Sequence, residues 1–310
     1  MRASILPSLL ILAVSACTTT DHPEEPATLG TPKRSADLLA VIDLPGPIEV
    51  ETVASADWKV DRGGLINLKH PKAVEAQFPQ LKGEPEPIKL LFHTLRHPEK
   101  GTFIIDSGIE RALRDAPDSS LLRGWVGKLA HLDWLMPRMP LGDWIEAHGA
   151  AAGVLLTHLH IDHVLGLRDL PAETPIYAGP GETRSRRAMN LATRGVITEA
   201  LSGKKPIQAW QYRPDTDERF EGVIDLLGDG SLWALWVPGH TVGSTAYLAR
   251  TPDGPVLFVG DTCHTRWGWD NGVEPGSFTE DHDRNVDSLG RLKRLTEEHH
   301  AIRVRPGHQL

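Results

Sequence analysis

The stretch VLLTHLHIDHVLGL, which runs from Val154 to Leu167, joins an apolar run to a dense group of polar residues. The apolar start has the length and composition of a buried strand. Directly after it, three histidines and an aspartate fall within six residues: His158, His160, Asp162 and His163. Imidazole and carboxylate groups are ligands that Zn²⁺ accepts. The stretch therefore predicts a strand whose end carries metal-ligating side chains.

The same pattern, an apolar strand that runs into a loop with histidine or aspartate, recurs three times further along the chain. The segments LWVPGHT, LFVGDT and IRVRPGH place His240, Asp261 and His308 at strand ends. Loops held by a rigid sheet are where active sites are usually presented. A single histidine of this kind is best explained by packing, but that explanation fails for seven groups at the same kind of junction. The sequence predicts that all seven build one metal site.

Strands alternate with helical segments along the chain, which indicates an α/β architecture. Alternation in IEVETVASADWKV predicts a strand over 48–60, and two apolar runs around RHPEKG predict a β-hairpin. LGDWIEAHG predicts a helix that ends at Gly149, and a longer helix is predicted over 182–203. An amphipathic helix before the last strand is predicted from apolar residues at every third position: Val286, Leu289, Leu292 and Leu295.

Composition indicates a globular protein and disfavours one class of partner. The chain has 310 residues, of which 40% are hydrophobic and 24% charged. Lys and Arg number 33 against 41 Asp and Glu, which gives a net charge of −8. No block of basic residues of the kind that nucleic acid requires is present, so we expect no nucleic-acid partner.

The N-terminal segment MRASILPSLLILAVSAC has the layout of a secretory signal, with one basic residue, an apolar stretch and small residues before Cys17. VSAC resembles the lipobox of bacterial lipoproteins, which predicts a signal peptide over 1–16 and a lipid on Cys17. An ordinary cleaved signal with an incidental cysteine is the alternative. Residues 17–47, rich in Thr, Pro and charge, are predicted to be a flexible tether, followed by one hydrolase domain over 48–310. Thr18 after the lipobox favours the periplasmic face of the outer membrane.

The motifs THLHIDH, VPGHT, GDT and the final PGH, in this order, resemble the ligand loops of the metallo-β-lactamase-fold hydrolases. The resemblance implies a single-domain αββα sandwich with two divalent metal ions. Zinc is the expected metal, and such sites also accept Mn, Fe or Co. It implies that Asp261 bridges the ions and that Asp106, in IIDSG, orients a ligand without binding metal. The remaining ligands divide into two groups: His158, His160 and His240 for one ion, and Asp162, His163 and His308 for the other.

The bridging Asp261 distinguishes branches of this superfamily, because its true β-lactamases lack such a residue. Activity on β-lactams is therefore not expected. Glyoxalase-II-type thioesterases carry a helical domain beyond the last histidine, and none follows His308 in this sequence. The segment from Phe220 to Leu248, and LLFHTLRHPEKGTFIIDSG, resemble the quorum-sensing N-acyl-homoserine lactonases.

Three residue types near Asp261 have open roles. Lactonases of this branch place a tyrosine three residues after the bridging aspartate, where this chain has His264, which either takes over the substrate contact or lies at the surface. Cys263 is explained better as a small buried side chain than as a ligand. Trp267 and Trp269 either wall an apolar substrate pocket, pack in the core or contact a membrane surface.

The expected reaction is hydrolysis of a lactone or ester by a metal-bridging hydroxide, with a small N-acyl-homoserine-lactone-like substrate favoured. Asp162 or His264 would return the proton to the leaving alkoxide. Phosphodiesterase, sulfatase and thioesterase activities of the same fold are alternatives. A second alternative, from a different class, is a surface lipoprotein that binds metal without turnover.

Overall fold

The apolar segments of the chain form two mixed β-sheets in the computed structural model, which describes residues 18–187 and 190–309. The strands within these residues are β1 Glu24–Pro26, β2 Thr31–Lys33, β3 Glu49–Asp61, β4 Pro85–His97, β5 Gly101–Ile105, β6 Met136–Pro137, β7 Gly153–Leu155, β8 Ile176–Ala178, β9 Ile207–Ala209, β10 Val223–Asp225, β11 Leu232–Trp236, β12 Thr245–Thr251, β13 Gly254–Gly260 and β14 Arg303–Pro306.

The α-helices within the same residues are α1 Ser35–Leu39, α2 Arg62–Leu65, α3 Pro71–Glu75, α4 Ala112–Asp115, α5 Gly124–Leu129, α6 Leu141–His148, α7 Ile161–Val164, α8 Asn190–Ala200, α9 Arg266–Asn271 and α10 His282–Glu298. Short 3₁₀ helices connect some of these elements: Phe78–Leu81, Pro117–Ser119, Leu132–Trp134, Leu165–Asp169 and Glu182–Arg184.

The first sheet has eight strands in the order β1-β9-β8-β7-β5-β4-β3-β6, and the second has six in the order β14-β13-β12-β11-β10-β2. In the first sheet, β5, β7, β8 and β9 are mutually parallel, so their carboxyl ends meet at one edge. The second sheet is antiparallel except for β14, which pairs in parallel with β13. This pairing brings the ends of β13 and β14 to the same place.

Alternating side chains of the strands divide the core into three layers. In β5, Phe103 and Ile105 point between the sheets and pack with residues of the second sheet such as Phe258. Ile104, between them, points outward into a layer formed with α6 and α8. On the far side of the second sheet, Leu292 of α10 packs on the outer face of the strands. This is the four-layer αββα sandwich that the sequence motifs implied, and it is confirmed.

Most of the predicted elements are confirmed. The strand predicted over 48–60 is β3, and the hairpin predicted around RHPEKG is formed by β4 and β5. The helix predicted to end at Gly149 is α6, and Gly149 has a φ of 93°, which a residue without a Cβ adopts at low cost. The apolar run before His158 forms β7, in which every residue is buried.

The flexible tether predicted over 17–47 is wrong for the part of it that the structure describes. β1 pairs with β9 at an edge of the first sheet, and β2 pairs with β10 at an edge of the second. Leu38 and Ile42 are fully buried in the outer layer of the second sheet. Backbone pairing and two buried aliphatic side chains bind this segment to the fold, so the folded domain includes described residues before the predicted boundary at 48.

Two helix predictions need correction. The helix predicted over 182–203 is described as a 3₁₀ turn at Glu182–Arg184 and as α8, so the α-helical part is shorter than expected. In α10, Leu289, Leu292 and Leu295 are buried, but Val286 is 49% exposed. Positions three apart rotate by about 60° around an α-helix, so a run of four such positions leaves the buried face.

The predicted signal peptide over 1–16 and the predicted lipid on Cys17 lie outside the described residues. Within the described residues, no helix combines the length and the apolar character needed to cross a bilayer.

Candidate metal centre

The seven predicted ligands lie at one edge of the sandwich, where strands of both sheets end. The loop over 158–163 follows β7 of the first sheet, while His240, Asp261 and His308 follow β11, β13 and β14 of the second. Most of these side chains are buried, and only His160 and Asp162 are partly exposed. The fold therefore brings together residues that are as far apart in sequence as His158 and His308.

Their ligand atoms form two groups that share one residue, and within each group the atoms lie within 4.8 Å of one another. The first group is His158, His160, His240 and Asp261. The second group is Asp162, His163, Asp261 and His308. We call these groups cluster 1 and cluster 2. The division is the same as the one that the sequence motifs implied.

The carboxylate of Asp261 is the common member because its Oδ2 atom lies between the two clusters. Oδ2 is 3.3 Å from Nε2 of His163 and 3.3 Å from Nε2 of His308, both in cluster 2. It is 3.5 Å from Nε2 of His240 and 3.8 Å from Nε2 of His158, both in cluster 1. One carboxylate oxygen thus faces four imidazoles that belong to the two clusters.

Three buried polar atoms at this centre have no hydrogen-bond partner among the described residues: Nε2 of His158, Nε2 of His163 and Oδ1 of Asp261. A buried polar atom without a partner costs about 1–3 kcal/mol, so such atoms need a ligand. Imidazole nitrogen and carboxylate oxygen are donors for Zn²⁺ and related divalent ions. The donor set and its unsatisfied atoms therefore fit metal ions.

Hydrogen bonds at the far side of the imidazole rings fix which nitrogen faces the clusters. Nδ1 of His163 lies 2.8 Å from Oδ2 of Asp106, and the hydroxyl of Thr157 donates to the same carboxylate. Nδ1 of His308 lies 3.0 Å from the carbonyl oxygen of Lys89. Since these oxygens only accept, Nδ1 carries a hydrogen, and Nε2 is the atom that can bind a metal ion once it gives up its own proton.

Burial keeps the imidazoles of cluster 1 neutral. It lowers the pKa of His158 and of His240 well below the ordinary value, and nearby histidines lower both further. Burial also lowers the pKa of His160 to about 4. A metal ligand must be deprotonated to bind, so these three histidines are ready to bind metal at neutral pH.

Cluster 2 carries an excess of negative charge. Burial opposes protonation of His163, but Asp106, Asp261 and Asp162 together raise its pKa well above the ordinary value. Burial also opposes protonation of His308, yet Asp261 and Asp162 raise its pKa to about 10. The carboxylates thus stabilise positive charge in cluster 2. A divalent cation would supply this charge in place of the protons on the two histidines.

A cavity of about 380 Å³ opens onto both clusters. Ligands and apolar side chains line it together, with Asp162 and His264 on the polar side and Leu65, Ile161 and Phe278 on the apolar side. The arrangement offers a small molecule a polar end and an apolar wall.

His264 is buried beside the clusters, so the alternative of a surface histidine is wrong. Its Nε2 lies 2.9 Å from Oδ2 of Asp261. Its Nδ1 lies 3.1 Å from the carbonyl oxygen of Leu65, which fixes the hydrogen on Nδ1. The side chain therefore directs Nε2 toward the clusters and the cavity.

Cys263 and the two tryptophans take structural positions. Cys263 is buried in the outer core of the second sheet, where burial raises the pKa of its thiol to about 12, so it is a packed side chain and belongs to neither cluster. Trp269 packs in the same core. Trp267 packs against Phe78 with ring centroids 4.5 Å apart and ring planes tilted by 49°. Neither tryptophan lines the cavity at the clusters.

The sequence motifs did not reveal Glu182, a buried residue. Its carboxylate accepts hydrogen bonds from the ligand loop after β7 and from the ligand loop after β11. Burial raises its pKa to about 7, although these hydrogen bonds oppose the change. The sequence contained one usable signal, since Glu182 follows β8 as the ligands follow their own strands.

Comparison with known proteins agrees with this geometry. The sequence profile described as the Metallo-beta-lactamase superfamily matches residues 152–308. The N-acyl homoserine lactonase AttM of Azorhizobium caulinodans is 30% identical over 228 residues, a match that covers 70% of this chain and 81% of the relative.

Two solved structures are similar in fold. A mutant of AiiA of B. thuringiensis, with N-decanoyl-L-homoserine bound at the active site, has a TM-score of 0.59 at 16% identity, and the match covers 86% of this chain and 95% of the AiiA chain. AidC, a dizinc quorum-quenching lactonase, has a TM-score of 0.56 at 14% identity and covers 91% of both chains. The chain belongs to the metallo-β-lactamase superfamily. It is a metal-dependent hydrolase, and its similarity lies with the lactonase branch.

Proposed function

We propose that the protein hydrolyses a lactone or a related ester, with an N-acyl-homoserine-lactone-like molecule as the favoured substrate. The observation that carries the proposal is the carboxylate of Asp261, which is shared by two clusters at the floor of a partly apolar cavity. The similarity to the lactonase AttM supports the same reaction class.

The ions of the site are two divalent cations, of which zinc is the best match to the donors. Cluster 1 would hold one ion and cluster 2 the other, with Asp261 common to both. When bound, such a pair supplies an activated water near neutral pH and Lewis acidity toward a carbonyl oxygen. The burial of the clusters excludes bulk water, which strengthens every electrostatic contact in the site.

Two side chains of the chain itself are assigned to proton handling. Asp162 lines the cavity and its side chain is 19% exposed, so its carboxylate contacts both the cavity and the solvent. His264 has its Nδ1 hydrogen committed to the carbonyl of Leu65, so it gives a proton from Nε2 only as an imidazolium. One of these two groups would take up the proton that the attacking water loses and pass it to the alkoxide that leaves as the ring opens.

The apolar wall of the cavity selects for an acyl substituent. Val126 and Leu129 of α5 face the same cavity as Ile161 and Phe278. Each methylene of an acyl chain that is buried there contributes about 0.8 kcal/mol. We expect KM to fall as the acyl chain lengthens, until the cavity is filled.

For the location, we propose export and attachment through a lipid on Cys17 at the periplasmic face of the outer membrane. The apolar segment before Cys17 supports this proposal. Cell fractionation tests it: the full-length protein would sediment with membranes, and Cys17→Ser would be released into the soluble envelope fraction. Equal sedimentation of both proteins would favour an ordinary cleaved signal or another mode of attachment.

The experiment on the reaction uses the chain from Thr18, because the fold includes residues before 48. Acyl-homoserine lactones of increasing chain length are assayed beside a phosphodiester, a sulfate ester, a thioester and a β-lactam, with metal content measured on the same sample. Lactone turnover that is lost in Asp162→Asn and on chelation supports the proposal. Turnover of another ester class without lactone turnover would contradict the proposed substrate. Bound metal without any turnover would favour a metal-binding lipoprotein.

A further inference from the structure

Glu182 joins the two backbone segments that carry the ligands of cluster 1. Its Oε2 accepts a hydrogen bond of 2.8 Å from the N–H of Leu159, which lies between His158 and His160. Its Oε1 accepts bonds from the hydroxyl of Thr241 at 2.5 Å and from the N–H of Gly243 at 2.8 Å. One carboxylate therefore bonds both the loop after β7 and the loop after β11.

We propose that Glu182 is a positioning residue that sets the distance between these two loops, so that His158, His160 and His240 converge on one metal ion. The proposal rests on the metal ligands of the proposed function. It goes beyond them because Glu182 belongs to neither cluster.

A carboxylate is required by the donors around it. Each oxygen of Glu182 accepts from at least one backbone N–H, of Leu159 on one side and Gly243 on the other. A glutamine has one oxygen and one NH₂ group, so one of these N–H groups would face another donor. A buried donor left without an acceptor costs about 1–3 kcal/mol, and the loop that carries it would shift.

The close approach of the loop to Glu182 also explains a glycine. A Cβ at position 243 would lie 2.8 Å from Cγ of Glu182 and 2.9 Å from its Oε1. Only glycine lets the backbone of the second ligand loop come this near to the carboxylate. The two residues thus form one connection between the loops.

The chain offers a matched control in Glu110, which is also fully buried and accepts from a backbone N–H, that of Leu121. It pairs with Arg168 and bonds neither ligand loop. Burial raises the pKa of both carboxyls. A general effect of removing a buried charge would therefore appear in both Glu182→Gln and Glu110→Gln. A specific effect on cluster 1 would appear only in Glu182→Gln.

The experiment compares the wild type with Glu182→Gln, Glu110→Gln and the milder Thr241→Val, and it measures zinc per chain, zinc affinity and the visible absorption of the Co²⁺-loaded protein. We expect Glu182→Gln to weaken binding of one ion by about 10–100-fold and to alter the Co²⁺ spectrum. Thr241→Val should change the zinc affinity and the Co²⁺ spectrum in the same direction but to a smaller extent. Glu110→Gln should change neither the affinity nor the spectrum.

The outcomes separate the two proposals. If the wild type binds fewer than two ions, the proposed dinuclear site is wrong. If the wild type binds two ions and Glu182→Gln binds both with unchanged affinity and spectrum, the positioning role is wrong. Should Glu182→Gln fail to fold, Thr241→Val decides alone, because it removes one bond to Oε1 and leaves the carboxylate in place.

A different observation concerns the rim of the cavity. Three large apolar side chains are strongly exposed there, Trp125 at 61%, Leu129 at 63% and Leu191 at 61%. Leu129 itself lines the cavity, and Trp125 lies one turn away on α5. Leu191 stands between two lining residues of α8. We call these three side chains the mouth patch.

Thr18 and Thr19, at the start of the described residues, lie beside the mouth patch. Thr18 forms a β-bridge with Arg186, and the hydroxyl of Thr19 donates to the carbonyl of Ser185. Asn190, the first residue of α8 and a cavity-lining residue, donates to the hydroxyl of Thr19. Thr18 and Thr19 are therefore held at the cavity rim, and in the sequence Thr18 directly follows the predicted lipid site at Cys17.

Basic side chains accompany the patch, since Lys128, Arg184 and Arg186 are exposed on the segments that flank it. Apolar side chains with basic neighbours suit a bilayer that contains anionic lipid. We infer that the mouth patch rests on a lipid bilayer, so that the cavity receives substrate from the membrane. This deepens the proposed function, because it selects esters or lactones with long acyl chains that partition into lipid.

The test is sedimentation of the chain from Thr18 with vesicles of phosphatidylcholine, with or without phosphatidylglycerol. We expect binding to the anionic vesicles, at least tenfold weaker binding for Trp125→Ser/Leu129→Ser/Leu191→Ser, and unchanged binding for the control Leu44→Ser/Val74→Ser. Both control positions are exposed apolar residues, at 53% and 54%, outside the cavity lining. A wild type that stays in the supernatant, or a dimer that only the triple variant disperses, overturns the inference. Lactone turnover in solution is assayed separately, so its loss would count against the proposed function alone.

Discussion

Oδ2 of Asp106 lies 2.8 Å from Nδ1 of His163, and Oδ1 of Asp106 accepts the N–H of Thr157 at 2.8 Å. Asp106 follows β5 with a φ of 58°, a conformation that is uncommon for a residue with a Cβ and is held here by these bonds. The carboxylate thus links the end of one strand to the ligand loop of its neighbour. It also decides that Nε2 of His163 faces cluster 2.

Replacing Asp106 with asparagine should weaken cluster 2 and leave the fold intact. Both carboxylate oxygens accept from N–H groups, so one of these groups would face the amide NH₂. We expect about 10–100-fold weaker binding of one ion, measured by zinc titration. Asp143→Asn, which breaks a surface pairing with Arg111 and Arg114, is the control. Equal loss in both variants would contradict the orienting role.

The two carboxylates of the centre should differ in the number of ions that depend on them. Asp162 belongs to cluster 2 alone, whereas Asp261 belongs to both clusters. Asp162→Asn is therefore expected to lose mainly one ion, and Asp261→Asn to weaken both. We expect each to lower kcat by about 10²-fold or more. Metal analysis of the two purified variants checks this, and an Asp261→Asn protein that retains both ions would exclude bridging.

Acid should destabilise the protein in part through His93, which is buried between the sheets. Burial lowers its pKa from 6.5 to about 3 in the folded state. Its stabilising contribution is therefore fully present above pH 6.5 and is lost as the pH falls toward 3, because the unfolded chain takes up the proton first. His93→Gln should flatten the decline of the unfolding free energy by about 1.4 kcal/mol per pH unit. Denaturant unfolding of the wild type and of His93→Gln at several pH values below 6 measures this slope. Equal slopes for the two proteins would contradict the assigned role of His93.

Removing the residues before Ile48 should destabilise the fold, since these residues supply one edge strand to each sheet. The buried side chains of Leu38 and Ile42 alone contribute about 1.5–3 kcal/mol each. Their sum is a large share of the roughly 5–15 kcal/mol that stabilises an ordinary protein. Urea unfolding of chains that start at Thr18 and at Ile48 tests this. If both chains unfolded at the same urea concentration, the prediction of a flexible tether would be correct after all.

Much of the candidate centre was predictable because each ligand loop follows its own strand. The apolar runs of β7, β11, β13 and β14 each end in a histidine or aspartate, and this local pattern is visible without any tertiary contact. The strands β1 and β2 were not predictable, since three residues of mixed polarity carry no periodic signal. Their strand conformation comes from pairing with β9 and β10, which are distant in sequence.

Glu182 shows the same limit within the site. Nothing in GPGET distinguishes a surface glutamate from one that bonds two ligand loops, because its acceptor role depends on Leu159 and Gly243. His264 is similar, since only packing against Leu65 and Asp261 decides between a surface and a buried histidine. The local sequence pattern predicts which side chains carry suitable donor and acceptor atoms. Tertiary packing decides which of these atoms come into contact.

The sequence by itself determined the ligand types, their order and the strands that deliver them, because alternation and apolar runs are local properties of the chain. Only the tertiary structure decided that Asp261 faces four cluster imidazoles from three separate loops and that Glu182 binds two of those loops together. These contacts depend on how the two sheets stack and where their strand ends meet. That stacking follows from the shared core between the sheets, a property of the whole chain that no single segment contains.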